Sequence, residues 1–115
     1  MSERSRPTIV CLCGSTRFKE TFYQQNLRET LAGRIVLSIG CASSSDAELF
    51  GGMSPEEWEA TKTSLDRLHL AKVELADEVL ILDVNGYIGE STARELAYAQ
   101  SLGKRIRRYS EENPR

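Results

Sequence analysis

Thr8-Ile9-Val10-Cys11-Leu12-Cys13-Gly14-Ser15 is the stretch on which the fold turns. The run from Thr8 to Cys13 is continuously apolar or β-prone, without the polar alternation of a strand that keeps one face in water. A strand buried on both faces belongs to a parallel sheet covered by helices on either side. The run stops at Gly14-Ser15, a turn pair that can open a helix, and a strand followed at once by a helix is the first half of a β-α-β unit.

The same punctuation continues along the chain. Residues 16–31 are expected to be helical, with Tyr23, Leu27 and Leu31 four apart and Phe18 and Phe22 as a second apolar pair on another face, which hints at a partner surface as well as a core; Gly33 supplies the stop. Residues 34–39 form the second strand, and a polar, Gly-containing loop covers 40–53. Ser54-Pro55-Glu56-Glu57 is a helix start, with Ser54 as N-cap, Pro55 in first position and Glu57 closing a capping box. That helix runs to about Leu75, with Leu65, Leu68, Leu75 and Ala76 as its buried stripe. Residues 78–84 form the third strand, 85–89 a turn-rich loop, and a short helix to about Leu102 is capped by Gly103. Residues 105–109 form the last strand, and the tail from Ser110 is expected to fray, as are residues 1–6. The order β-α-β-α-β-α-β predicts a single doubly wound α/β domain over residues 1–115, flavodoxin-like or Rossmann-like, with a parallel sheet of four to five strands. Ligands of such sheets bind beyond the carboxyl ends of the strands, so the loops after the strands should carry the chemistry.

Composition agrees with a globular domain. The 115 residues are 40% hydrophobic and 28% charged with a net charge of −2. The longest apolar runs are strand-sized and too short to cross a bilayer, and residues 1–7 lack a signal-peptide core, which leads us to expect a cytoplasmic protein. The one basic run, Lys104-Arg105-Ile106-Arg107-Arg108, lies in a predicted strand, where its charges should flank a sheet edge; a nucleic-acid binder would carry a broader basic stripe. Cys11 and Cys13 fall inside the first strand and read as reduced core thiols rather than as a disulfide or metal pair.

Three places carry candidate chemistry. In the loop after the first strand, Gly14 lets the backbone approach a ligand, Ser15 or Thr16 can cap the new helix, and Arg17 adds a charged fork for a phosphate or base carbonyl. The same residues would also serve an ordinary strand-to-helix turn. After the third strand come Asp83 and then Gly89, Glu90, Ser91, Thr92 and Glu95. Thr92 and Glu95 have capping-box spacing, which would employ Glu95 on a backbone amide. Helix geometry instead sets Glu95 on the side of Tyr98, Ala99 and Leu102, where a carboxylate kept ionised by the helix dipole suits a nucleophile. Glu90 is expected before the helix proper, and Ser91 and the Gly89 amide can hold a phosphate or ribose hydroxyl. On the long helix, His69 and Lys72 fall within the apolar stripe. Either is compatible with a satisfied core residue, but together they suggest a polar cavity in which Asp83 or Glu95 partners Lys72.

These residues resemble the nucleoside 2-deoxyribosyltransferase family, which includes deoxynucleoside monophosphate N-glycosidases and cytidylate hydrolases. The resemblance runs from Cys13-Gly14-Ser15-Thr16-Arg17 through Leu75-Ala76-Asp77 to Gly103-Lys104. Its most specific part is Glu95-Leu96-Ala97-Tyr98-Ala99, similar to the family's Glu-Leu-Gly-Tyr-Ala helix, followed by Leu102-Gly103-Lys104. The resemblance implies transfer or hydrolysis of an N-glycosidic bond in a (deoxy)nucleoside or nucleoside 5′-monophosphate. Glu95 would be the nucleophile, Gly14, Ser15 and Arg17 would line the sugar and base pocket, and Ser91 would hold the sugar or phosphate. The family's helix aspartate, a proton donor, is replaced at its expected place by His69, with Asp66 about one turn earlier; Lys72 or Asp83 would assist by positioning. No metal or organic cofactor is implied, and the Cys/His spacing offers no zinc site. A homodimer or larger homo-oligomer is expected, with no nucleic-acid or membrane partner. Two other functions fit the same fold: a non-catalytic nucleotide sensor, and a flavodoxin-like FMN carrier, for which the phosphate loop and flanking aromatics are wanting.

Overall fold

The computed structural model describes residues 6–39 and 51–113. β1 (Ile9–Cys13), β2 (Ile35–Leu37), β3 (Glu78–Ile81) and β4 (Arg105–Arg108) form one parallel sheet in the order β2-β1-β3-β4. β1 aligns Val10 with Val36 of β2 and with Glu78 of β3, and β3 aligns Glu78 with Arg105 of β4. β1 and β3 are thus the central pair and are almost wholly buried, as the unbroken apolar runs require. The chain is an α/β domain with a flavodoxin-like arrangement. A short 3-10 turn (Thr16–Phe18) leads into α1 (Lys19–Leu31), followed after β2 by α2 (Pro55–Leu75), α3 (Glu90–Ser101) and a final short helix α4 (Tyr109–Glu112).

Alternation along the strands sends side chains to two cores. Val10, Leu12, Leu80 and Leu82 pack with Phe22 of α1 and Tyr109 of α4. Cys11, Cys13, Val79 and Ile81 pack with Val73 of α2 and with Leu96 and Ala99 of α3. Helices therefore cover both faces, as a doubly wound sheet demands. The expected caps form. Ser54 Oγ accepts from the Glu57 amide at 3.1 Å, and the Glu57 carboxylate accepts from the Ser54 amide at 2.8 Å. Gly33 and Gly103, at φ +87° and +72°, end α1 and α3 in the left-handed conformation that favours glycine.

The faces presented by α1 and α2 differ from the expectation. Tyr23, Leu27 and Leu31 are exposed, whereas α1 buries Phe22, Gln25 and Glu29. Phe22 belongs to the core. Likewise Leu65, Leu68 and Leu75 of α2 are exposed, while His69, Val73 and the following Ala76 are buried. The expected α2 stripe holds at His69 and Ala76 and fails at its three leucines; one residue advances a helix by about 100°, so apolar residues alone do not fix the face that packs. Polar groups on the buried face find partners across the sheet. Glu29 receives Arg107 at 2.7 and 3.0 Å, and Arg107 also reaches Glu78 at 2.8 Å and Glu112 at 2.8 and 2.9 Å. Arg107 lies on the edge strand β4, as its basic run suggested, but is a buried hub whose carboxylates hold its guanidinium pKa above the ordinary value. Chief among them is Glu29.

The same network orders the segment expected to fray. Residues 109–112 are helical, with Glu112 on Arg107 and the Ser110 amide and hydroxyl both on Asp83 at 2.8 Å. β2, β3 and β4 are shorter than expected, because only residues paired in the ladder qualify. Glu90 opens α3 rather than preceding it. Most of the expected loop 40–53, with Cys41, lies outside the described residues. Among the described residues no helix is long and apolar enough to cross a membrane.

Candidate functional site

Residues two apart on a strand share a face, so β1 turns both Cys11 and Cys13 toward α2 and α3. α2 brings His69 against them, and the second turn of α3 brings Glu95. His69 Nε2 lies 3.3 Å from Cys13 Sγ, 3.8 Å from Cys11 Sγ and 3.6 Å from Glu95 Oε1. The thiols are inaccessible, the imidazole is 6% exposed and the Glu95 carboxylate 13% exposed, so Glu95 is the member of the group nearest to solvent. Cys13 is the last residue of β1, which places the cluster where ligands meet parallel sheets.

These groups shift one another. Burial pushes the Glu95 carboxyl above the ordinary carboxylate range, and the opposing charge of His69 offsets only part of this. The dipole argument, by which Glu95 should stay readily ionised, is overridden by loss of water. Burial by itself would lower the His69 pKa; the hydrogen bond and charge of Cys11, together with Glu95, outweigh it and hold it above its ordinary value. Hydrogen bonding with Cys13 brings the Cys11 thiol down to about 6 against the effect of burial, with His69 and Lys72 adding to the fall. The same bond and burial push Cys13 up. His69 Nδ1 is buried and has no hydrogen-bond partner among the described residues.

The other expected site residues divide. Lys72 does not pair with Asp83 or Glu95: its ammonium donates to the Ser38 carbonyl at 2.6 Å, tying α2 to the end of β2. Asp83 is committed elsewhere, accepting twice from Ser110 and lying 3.7 Å from Arg108 on the α4 side, because its side chain fixes the start of that helix. It is no partner of Glu95. Asp66 is half-exposed and lies 3.8 Å from Arg94. Thr92 is buried in the first turn of α3 and is not the N-cap, which is Gly89, so no capping box employs Glu95.

Around the mouth, Ser15 caps the 3-10 turn by accepting from the Arg17 amide at 3.3 Å, with Thr16 exposed as its first residue. The Arg17 guanidinium lies over the Tyr87 ring, 4.3 Å from its centre, and Phe18 meets the same ring edge-on at 5.9 Å. The loops after β1 and β3 are thereby joined into one rim. Ser91, exposed at the start of α3, accepts from Arg94 at 3.2 Å. Gly14 has a packing reason of its own, since a Cβ there would stand 2.9 Å from Leu82 Cβ. The described surface also has an open depression of about 680 Å³ lined by Val84, Asn85, Gly86, Tyr109, Ser110 and Asn113. It contains none of the Cys/His/Glu group.

Sequence reasoning missed the thiols as members of the site. The signal was present in Cys11-Leu12-Cys13, where alternation turns both sulfurs to one face, but their meeting with His69 depends on how α2 crosses the sheet. The reading that the Cys/His spacing offers no metal site is also corrected: Cys11, Cys13 and His69 present ligand atoms all within 4.8 Å of one another. Comparison with protein-family models and with curated protein sequences gives no match to this chain.

Proposed function

We propose that the protein cleaves or transfers the N-glycosidic bond of a (deoxy)nucleoside or nucleoside 5′-monophosphate, with Glu95 as nucleophile and His69 as proton donor. The observation that carries this reading is the pairing of the Glu95 carboxylate with the His69 imidazole, 3.6 Å apart, at the carboxyl end of β1. A carboxylate and an acid side by side in a partly dry mouth are the two groups a retaining glycosyl transfer needs. The resemblance of residues 95–99 and 102–104 to the nucleoside 2-deoxyribosyltransferase family supports the same assignment.

A Glu95 oxygen attacks C1′ of the sugar as the C1′–N bond breaks. The bonding pair leaves with the base, which takes a proton from His69. Water, or the nitrogen of a second base, then attacks C1′; its proton returns to His69 and the Glu95 carboxylate is released. The upward shift of the His69 pKa favours the protonated form of the donor. Arg17 and Tyr87 would face the base or phosphate at the rim, and the Gly89 amide and Ser91 hydroxyl would meet the sugar or its 5′-phosphate. The exposed Tyr23, Leu27 and Leu31 of α1 favour self-association into a homo-oligomer.

The test is incubation with a panel of nucleosides and 5′-monophosphates, with and without a free acceptor base, resolved by chromatography. Free sugar identifies a hydrolase and exchanged base a transferase. Substrate bound by the folded protein but left intact throughout the panel would support the non-catalytic sensor instead.

A further inference from the structure

His69 Nε2 has three neighbours at once: Cys13 Sγ at 3.3 Å, Cys11 Sγ at 3.8 Å and Glu95 Oε1 at 3.6 Å. A ring nitrogen carries one proton or one lone pair, so it can satisfy only one of them by hydrogen bonding. The three separations have another explanation. In a tetrahedral zinc site, with Zn–S of about 2.3 Å and Zn–N or Zn–O of about 2.0–2.2 Å, the ligand atoms stand apart by about 3.5 Å for N to S and about 3.4 Å for N to O. The distances found are close to those edges. The donor set is two thiols and one imidazole, which suits zinc or another thiophilic divalent ion. Cys11, Cys13 and His69 are all buried.

We infer that Cys11, Cys13 and His69 form a binding site for a thiophilic divalent cation, beside the Glu95 carboxylate. Binding displaces to solvent whatever protons Cys11 Sγ, Cys13 Sγ and His69 Nε2 still hold, and ligation through Nε2 leaves a ring proton on the unpartnered Nδ1. An imidazole ligated through Nε2 has no proton on that nitrogen to give the departing base, and the bound cation draws the neighbouring Glu95 carboxylate away from a sugar. The ion is therefore an inhibitor of the proposed transfer; that consequence rests on the functional reading above, whereas the binding does not.

The experiment uses the full chain, stripped with a chelator under reducing conditions and titrated with cobalt(II) alone, without substrate. One equivalent should bind, with a thiolate-to-cobalt charge-transfer band in the near ultraviolet that zinc(II) then bleaches. Cys13→Ser and Cys11→Ser should each reduce the band and the double variant abolish it, with circular dichroism checking that each remains folded. His69→Gln, which keeps both thiols, should bind at least about 10-fold more weakly. Absence of the band in folded protein with excess cobalt, or its persistence in the folded double variant, overturns the site. Base release that continues unchanged at saturating zinc overturns the inhibition. If no base is released even without metal, the functional reading fails while the cobalt result decides the site by itself.

Discussion

Replacing Arg107 by methionine tests the buried network that sets α1 and α4 against the sheet. Arg107 is 9% exposed and donates to Glu29, Glu78 and Glu112, and the Glu29 side chain is fully enclosed. Methionine keeps much of the volume and removes the charge, leaving Glu29 with Arg34 at 3.1 Å and Arg28 at 4.0 Å. Removing one partner of a buried ion pair costs about 3–5 kcal/mol, and the surviving Arg34 contact argues for the lower end, about 3 kcal/mol. Against a total stability of about 5–15 kcal/mol that is a large fraction. With a urea dependence of about 1–3 kcal/mol per molar, the unfolding midpoint at neutral pH should fall by on the order of 1–3 M. The effect has a pH signature. The Arg107 guanidinium holds the Glu29 carboxyl below the ordinary carboxylate range against the effect of burial. A lowered folded-state pKa contributes stability that is present above the unfolded value and is lost as pH falls through the folded one. The gap between wild type and Arg107→Met should accordingly narrow on acidification through and below the ordinary carboxylate range. A difference under about 1 kcal/mol at neutral pH would mean that the network is not the buried hub described. A gap that stays constant into acid would mean that it does not act through an ionised Glu29.

Two further substitutions test local geometry. Gly14→Ala would set a Cβ 2.9 Å from Leu82 Cβ, so overpacking should cost about 1–3 kcal/mol, read as a lower urea midpoint; an unchanged midpoint would show that β1 and the end of β3 do not approach so closely. On α1, Phe22→Ala should cost about 3–5 kcal/mol. Leu27→Ala should change stability by no more than about 0.5 kcal/mol at protein concentrations where the chain is monomeric, and the reverse order would restore the stripe inferred from periodicity alone.

The parts of the molecule that were legible in advance are those fixed by short-range chemistry. The apolar run ending at Cys13, the Ser54-Pro55-Glu57 cap and the glycines at 33 and 103 each act within a few residues, and each formed as expected. The packing face of α1 was not legible, because Glu29 becomes an inward residue only through Arg107, 78 positions away. The site shows the same division. Glu95 and His69 could be singled out by residue type and spacing, whereas the thiols of Cys11 and Cys13 became part of the cluster only when α2 was laid across β1. Asp83 and Lys72 looked like partners for the site until their actual contacts, Ser110 and the Ser38 carbonyl, were in view. Both are contacts between distant segments that no local pattern announces.

The central claim is that Glu95 forms a covalent bond to the sugar. Its most direct measurement is mass spectrometry of metal-free protein, quenched in acid during turnover of a nucleoside or 5′-monophosphate that releases base and then digested. The account predicts a glycosyl adduct on the peptide containing Glu95, with no adduct and no base release from a folded Glu95→Gln variant. Base release that proceeds undiminished in Glu95→Gln, or an adduct carried by another residue, would contradict it.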